Sequence, residues 1–112
     1  MILLIIVLMR HNGDMTAGAV IEALGDPVRR QVVTLLSGGP RRAGEIATGI
    51  GMSAPAISRH LRALLEAHVI EDERLESDAR ARVFRLRPQS ITAARAWLDE
   101  ILAGQGGLAD PS

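Results

Sequence analysis

Residues 53–65, Ser-Ala-Pro-Ala-Ile-Ser-Arg-His-Leu-Arg-Ala-Leu-Leu, constrain the fold more than any other stretch of the chain. With about 100° per residue on a helical wheel, Ala54, Ser58, Arg62, Pro55 and Arg59 fall on one arc. Ile57, Leu61 and Leu64 fall on another, and Leu65 lies near the border. Ser53 is placed to cap such a helix, and Pro55 sits in its first turn, where a missing N–H costs nothing. The segment therefore needs a core on one side and leaves a hydroxyl- and guanidinium-bearing side uncovered. The small residues at its start let a backbone come close to a large ligand. Arg59 and Arg62 add charge, and a guanidinium pairs bidentately with a phosphate or a guanine edge. This is the layout of a recognition helix for a DNA major groove.

The flanking residues supply the elements that such a helix needs. Met15 to Leu24 reads as a first helix ended by Gly25. Asp26 and Pro27 suit the cap and first position of a second helix, Val28 to Leu36, which Gly38-Gly39-Pro40 stops. Arg42 to Ile50 reads as a short third helix. Gly51 turns the chain into the capped segment, and two helices joined by a tight Gly turn make a helix-turn-helix. His68 to Arg74 and Arg80 to Arg87 read as strands, with Leu75 to Ala79 as their turn and Pro88 closing the second. Phe84 and Leu86 share one strand face, and Val83, Arg85 and Arg87 the other. Ser90 is expected to cap a last helix, Ile91 to Leu102, with a wide apolar stripe. The order ααααββα defines the fold class: mainly α with a β-hairpin wing, a winged helix-turn-helix.

Composition sets limits on function. The 112 residues suit one domain, which gains from a partner subunit. Net charge is zero, with 13 basic and 13 acidic residues, but their distribution is uneven. Every basic residue is Arg. Residues 29–62 hold Arg29, Arg30, Arg41, Arg42, Arg59 and Arg62 against Glu45 alone, and residues 80–87 hold four Arg and no acid. The acids gather at 66–78 and at Asp99-Glu100, so local sign outweighs the total. Phe84 and Trp97 are the only aromatics, too few for a single-strand stacking platform. With no Cys, disulfides and thiolate metal sites are excluded. Three His, no Cys and scattered acids assemble no nucleophile, base and orienter, so the chain is read as no enzyme.

The apolar run Met1 to Met9 is too short to span a bilayer and lacks the basic start of a secretory signal. Residues 1–14 are read as a leader from a mis-set translation start, with Met15 opening the protein, or else as an added element covering a dimer surface. Residues 15–103 form the DNA-binding domain with dimerisation helices at both ends, and the Gly-rich residues 104–112 form a flexible tail. The expected location is cytoplasmic, with no membrane partner.

Four segments carry a resemblance to a known family: Ala23 to Leu36, Gly44-Glu-Ile-Ala47, Met52 to Leu64 and Ala96-Trp-Leu98. Over about residues 17–103 the chain resembles the ArsR family of bacterial transcriptional repressors. The stretch 53–64 is the specific part. The resemblance implies a homodimer that binds a near-palindromic operator and blocks a promoter. Two positions depart from the family pattern. Ala54 stands where the family usually has Gln, an adenine reader, which leaves the preference at that base open. His68 stands where it usually has Gly, and the wing lacks a turn Gly.

The candidate DNA contacts are Ser53, Ala54, Pro55, Ser58, Arg59, His60 and Arg62 on the recognition helix, Arg80 and Arg82 on the wing, and Arg41 and Arg42 at the start of the third helix. Alternatives remain for several. Arg62 has Glu66 four residues on. His60 lies on the flank of the wheel, as a packing or phosphate-contact residue. Arg80 and Arg82 either reach the duplex or answer Glu71 and Glu73 across the hairpin. Arg41 and Arg42 disfavour a helix N-terminus unless an anion is near. Arg29 and Arg30 are read as structural. Val20, Ile21, Leu24, Ile91, Ala94, Trp97, Leu98 and Ile101 are read as the dimer interface, with an intrachain core as the other possibility. Metal-sensing members of the family use cysteines near positions 45–47, or acid and histidine pairs on the last helix. Neither set is present, so no metal and no cofactor are expected, and the effector is open. The competing reading of the whole is a winged-helix protein-interaction module that does not read DNA.

Overall fold

The computed structural model describes residues 17–74 and 82–109. The expected wing turn, Arg80 and the apolar leader lie outside these residues. The first helix, α1, is described over 17–23 and buries Ala17, Val20 and Ala23 at helical spacing. Helix α2, Pro27–Leu36, starts as its residues dictate: Asp26 Oδ1 accepts from the Val28 N–H at 2.8 Å and the Arg29 N–H at 3.1 Å, with Pro27 in the first turn. Arg29 Nε donates to the Ala23 carbonyl at 2.6 Å, and Arg30 Nη1 to that of Leu24 at 2.7 Å. These two arginines thus satisfy carbonyls left orphaned at the end of α1, in line with a structural role.

Arg41 and Arg42 form a short strand, β1, that the sequence pattern does not reveal. It pairs antiparallel with the wing, Arg41 opposite Phe84 and Arg42 opposite Val83. The third helix, α3, therefore spans Ala43–Ile50 and does not include Arg42, which is its cap residue in extended conformation. Two residues carry no readable period, so only the partner strand shows them to be paired. Gly51 ends α3 at φ +81°, in the left-handed region that favours glycine. Helix α4, Ala54–Glu66, follows directly, with Ser53 Oγ accepting from the Ala56 N–H.

The wing comprises β2, Ile70–Arg74, and β3, Arg82–Leu86, in antiparallel register from Ile70 opposite Leu86 to Arg74 opposite Arg82. β3 is the central strand of a three-stranded sheet ordered β1-β3-β2. Ile70 and Phe84 anchor the sheet in the core, while Glu71 to Arg74 are exposed, so the hairpin stands clear of the body. The core itself is one cluster built around Val20, Val32, Ile46, Ile57, Leu64 and Val69.

Two expectations at the last helix are corrected. Helix α5 spans Pro88–Ala109, so Pro88 opens the helix rather than only closing the strand, and Ser90 is not its cap. Ser90 is buried, and its hydroxyl donates to the His68 carbonyl, which gives a buried polar group the partner it needs. The helix also continues through residues 104–109, which the sequence reading assigns to a flexible tail.

His68 is the one non-glycine residue with positive φ, +59°, among the described residues. The Val69 N–H reaches the Leu64 carbonyl and the His68 N–H that of Leu65, each at 3.0 Å. Together these make a Schellman motif with His68 in the position where glycine is free of steric cost. The motif turns the chain sharply from the recognition helix into the wing. His68→Gly is expected to stabilise the fold by about 0.5–1 kcal/mol, the strain relieved exceeding the added unfolded-state freedom. Urea titration at constant slope is the check, and a lower midpoint would show that no strain is stored there.

Candidate nucleic-acid interface

Helix α4 is held on one side only. Ile57 and Leu64 are 0% exposed and Leu61 3%, all inside the core cluster. On the other side Ser53, Ala54, Pro55, Ser58, Arg59 and Arg62 are all exposed. Among the described residues neither Arg59 nor Arg62 has a hydrogen-bond or ion-pair partner, and the spacing of Arg62 to Glu66 yields no pair. The two guanidinium groups are exposed above an apolar anchor.

His60 takes a different direction. Its side chain is only 20% exposed, and Nδ1 lies 3.8 Å from Asp26 Oδ1. It lies toward the start of α2, on the flank of α4 beside its open side. The Asp26 carboxyl is held below its ordinary value of 3.8, chiefly by the Arg29 N–H, against an opposing effect of partial burial, and further by the Val28 N–H and the charges of His60 and Arg29. Its native value being depressed, this cap stabilises the fold at pH values above the unfolded carboxylate range, and that stability is lost as pH falls from there through the lowered native value.

The wing arginines are engaged across the hairpin. Arg82 Nε donates to Asp72 Oδ2 at 2.7 Å, and its guanidinium lies 4.8 Å from the centroid of the Phe84 ring. Arg85 pairs with Glu73, and Arg87 Nε lies 3.9 Å from Glu71 Oε2. These are diagonal neighbours in the register: Arg82 does pair across the hairpin, but with Asp72, while Glu71 and Glu73 are met by Arg87 and Arg85 instead. Surface pairs of this kind contribute little and leave a half-exposed guanidinium able to exchange partners. Arg41 folds onto the preceding turn, Nη1 donating to the Pro40 carbonyl at 3.0 Å. Arg42 is exposed, and its N–H donates to Glu45 Oε1 at 3.0 Å, the acid supplying half of a capping box.

These elements enclose a groove between the start of α3, the face of α4 and β3. Leu61, Leu65 and Phe84 form its floor, and Arg42, Arg62 and Arg82 its rim. Thr48 and Glu45 also line it, and the sequence reading does not single them out as contacts. Their signal is faint: both lie on the polar side of a helix with only Ile46 and Ala47 buried.

The expected dimer residues divide into two groups. Val20 is 0% and Ala94 7% exposed within the single chain, so both belong to the intrachain core and are corrected accordingly. Ile21, Leu24 and Ile91 are half-buried against that core. Trp97, Leu98 and Ile101, by contrast, are 40%, 50% and 47% exposed, and Leu102 continues the stripe. From residue 95 to residue 104 every position of α5 is exposed. The helix thus rests on the body through its first turns and carries an uncovered apolar face beyond them. Among the described residues no group of three His, Asp or Glu is placed to hold a metal, and no helix is long and apolar enough to cross a membrane.

The profile described as "Bacterial regulatory protein, arsR family" matches residues 26–72, from the cap of α2 into the wing. The HTH-type transcriptional regulator Rv2034 of Mycobacterium tuberculosis is 37% identical over 78 residues, which are 70% of this chain and 70% of that protein. The chain belongs to the arsR family of bacterial regulatory proteins. It is a transcriptional regulator with a winged helix-turn-helix DNA-binding fold. The transcriptional repressor SdpR of Bacillus subtilis is 47% identical over 55 residues, 49% of this chain and 61% of that protein. A solution structure of a homodimeric winged helix-turn-helix DNA-binding domain from Mycobacterium bovis, a possible ArsR-family regulator, superposes with a TM-score of 0.62 at 25% identity, covering 80% of each chain. In this arsR-family chain α4 follows α3 across the Gly51 turn as the second helix of the helix-turn-helix.

Proposed function

We propose that this arsR-family protein is a homodimeric repressor that binds a near-palindromic operator through α4. The observation that carries the reading is the exposed Arg59 and Arg62, without a partner among the described residues, on a helix whose opposite side is locked in the core. Helix α4 enters the major groove. Arg59 and Arg62 contact base edges or phosphates, with Ser53 and Ser58 as hydroxyl donors. Arg42 and the half-exposed Arg82 flank the helix and meet the phosphates on either side, and Arg41 extends the same basic rim; Arg80, outside the described residues, is a further phosphate-contact candidate from its place in the sequence. SdpR is a repressor by name, which supports the sign of the regulation, and the homodimeric neighbour supports the assembly.

Selection from random duplexes with the purified protein tests this reading. A near-palindrome with half-sites about 10 bp apart, or a multiple of it, is the expected product, and binding should weaken steeply with salt. Failure to enrich any sequence over the starting pool overturns it.

The second copy is expected on the uncovered face of α5. An aromatic side chain within an apolar stripe is the usual anchor of a subunit interface. Trp97→Ala is expected to weaken dimerisation by about 2 kcal/mol or more, roughly thirtyfold. Sedimentation equilibrium reads this directly, and an unchanged association constant moves the interface elsewhere.

A further inference from the structure

The first turn of α4 carries an unusual surface for a reader of bases. Ser53 Oγ caps the helix by accepting the Ala56 N–H, and its own proton stays free to donate. Residue 55 is a proline and offers no N–H, and Ala54 offers only a methyl group. Both Ala54 and Pro55 are exposed, and Ile57 behind them is fully buried, so the orientation of this turn is set by the core. The N-terminal residues of a recognition helix are those that approach base edges. Here Ala54 and Pro55 present a small apolar patch with no hydrogen-bonding side chain of their own, between the Ser53 hydroxyl at the cap and Ser58 and Arg59 one turn later. An adenine, guanine or cytosine edge set against this patch would lose hydrogen bonds to water without replacement, whereas the C5-methyl of thymine is the one apolar group in the major groove.

We propose that Ala54, backed by the Pro55 ring, reads a thymine methyl group in each operator half-site. The inference rests on α4 being the DNA-reading helix. Specificity would then be split along the helix: shape and apolar contact at its first turn, charge-assisted hydrogen bonds from Arg59 and Arg62 further along.

The test removes the methyl without touching the protein. In the selected duplex each thymine is replaced in turn by uracil, which leaves every hydrogen-bonding group in place. One thymine per half-site is expected to cost about fourfold in affinity on replacement, the worth of one buried methyl group. The same comparison with Ala54→Gly should reduce that ratio to below about twofold, because the protein partner of the methyl is gone. If every uracil duplex binds the wild-type protein as well as its thymine counterpart, the proposal falls while DNA reading by α4 stands. If the loss persists undiminished in Ala54→Gly, the methyl is read by another residue and the assignment to Ala54 falls. Should no duplex be selected at all, the proposal falls together with the reading beneath it.

Discussion

Arg59→Ala and Arg62→Ala are each expected to weaken operator binding by about 1–3 kcal/mol, roughly ten- to hundredfold, and together to abolish a gel shift. The thermal transition should stay in place. Both side chains are exposed and bonded to nothing among the described residues, and exposed substitutions of this kind usually change stability by no more than about 0.5 kcal/mol. The two arginines can also be told apart. A guanidinium on a guanine edge relaxes selectivity at one base pair when removed. A guanidinium on a phosphate weakens all sequences alike and lowers the slope of log affinity against log salt by about 0.9. Anisotropy titrations at several salt concentrations separate these cases, and wild-type affinity in the double variant would take α4 out of the interface.

The second large effect lies one residue before Ser58, on the other side of the same helix. Ile57 is 0% exposed in the core cluster, and Ile57→Ala is expected to cost about 2–5 kcal/mol through lost transfer energy and the cavity left behind. Against a typical total of about 5–15 kcal/mol, that is a large share of the stability of a domain this size. The urea midpoint should fall at nearly constant slope, and DNA binding should decline only as far as the protein unfolds. A loss under about 1 kcal/mol would mean that α4 is not anchored as described. The contrast between neighbouring positions is the signature of a helix that packs on one side and binds on the other.

Much of this organisation is legible in the residues. The cap pairs Asp26-Pro27 and Ser53 with Pro55, and the stops at Gly39 and Gly51, mark helix ends because each satisfies or relieves a specific backbone group. The two sides of α4 follow from its wheel. Other features are not legible, for physical reasons that differ. β1 is two residues long, too short for any periodicity. Pro88 and Ser90 admit two readings locally, and the burial of Ser90 beneath the His68 carbonyl decides between them. The helical state of residues 104–109 runs against their glycine content.

The direction of long polar side chains is the clearest case. Sequence places His60 and Arg82 near a binding surface, and both are near it. The tertiary structure turns His60 toward Asp26 and lays Arg82 between Asp72 and Phe84. Partners far apart in the chain compete for the same charged group, and no local pattern records that competition. The apolar positions show the same division. A helical stripe from Ile91 to Ile101 is one feature in sequence, yet Ala94 ends in the chain's own core and Trp97 in the open. Periodicity, caps and turns, being local, determined by themselves where the helices lie and which side of α4 is anchored. What each surface residue faces, and how much apolar surface remains uncovered for a second copy, was decided only when the body of the fold closed around them.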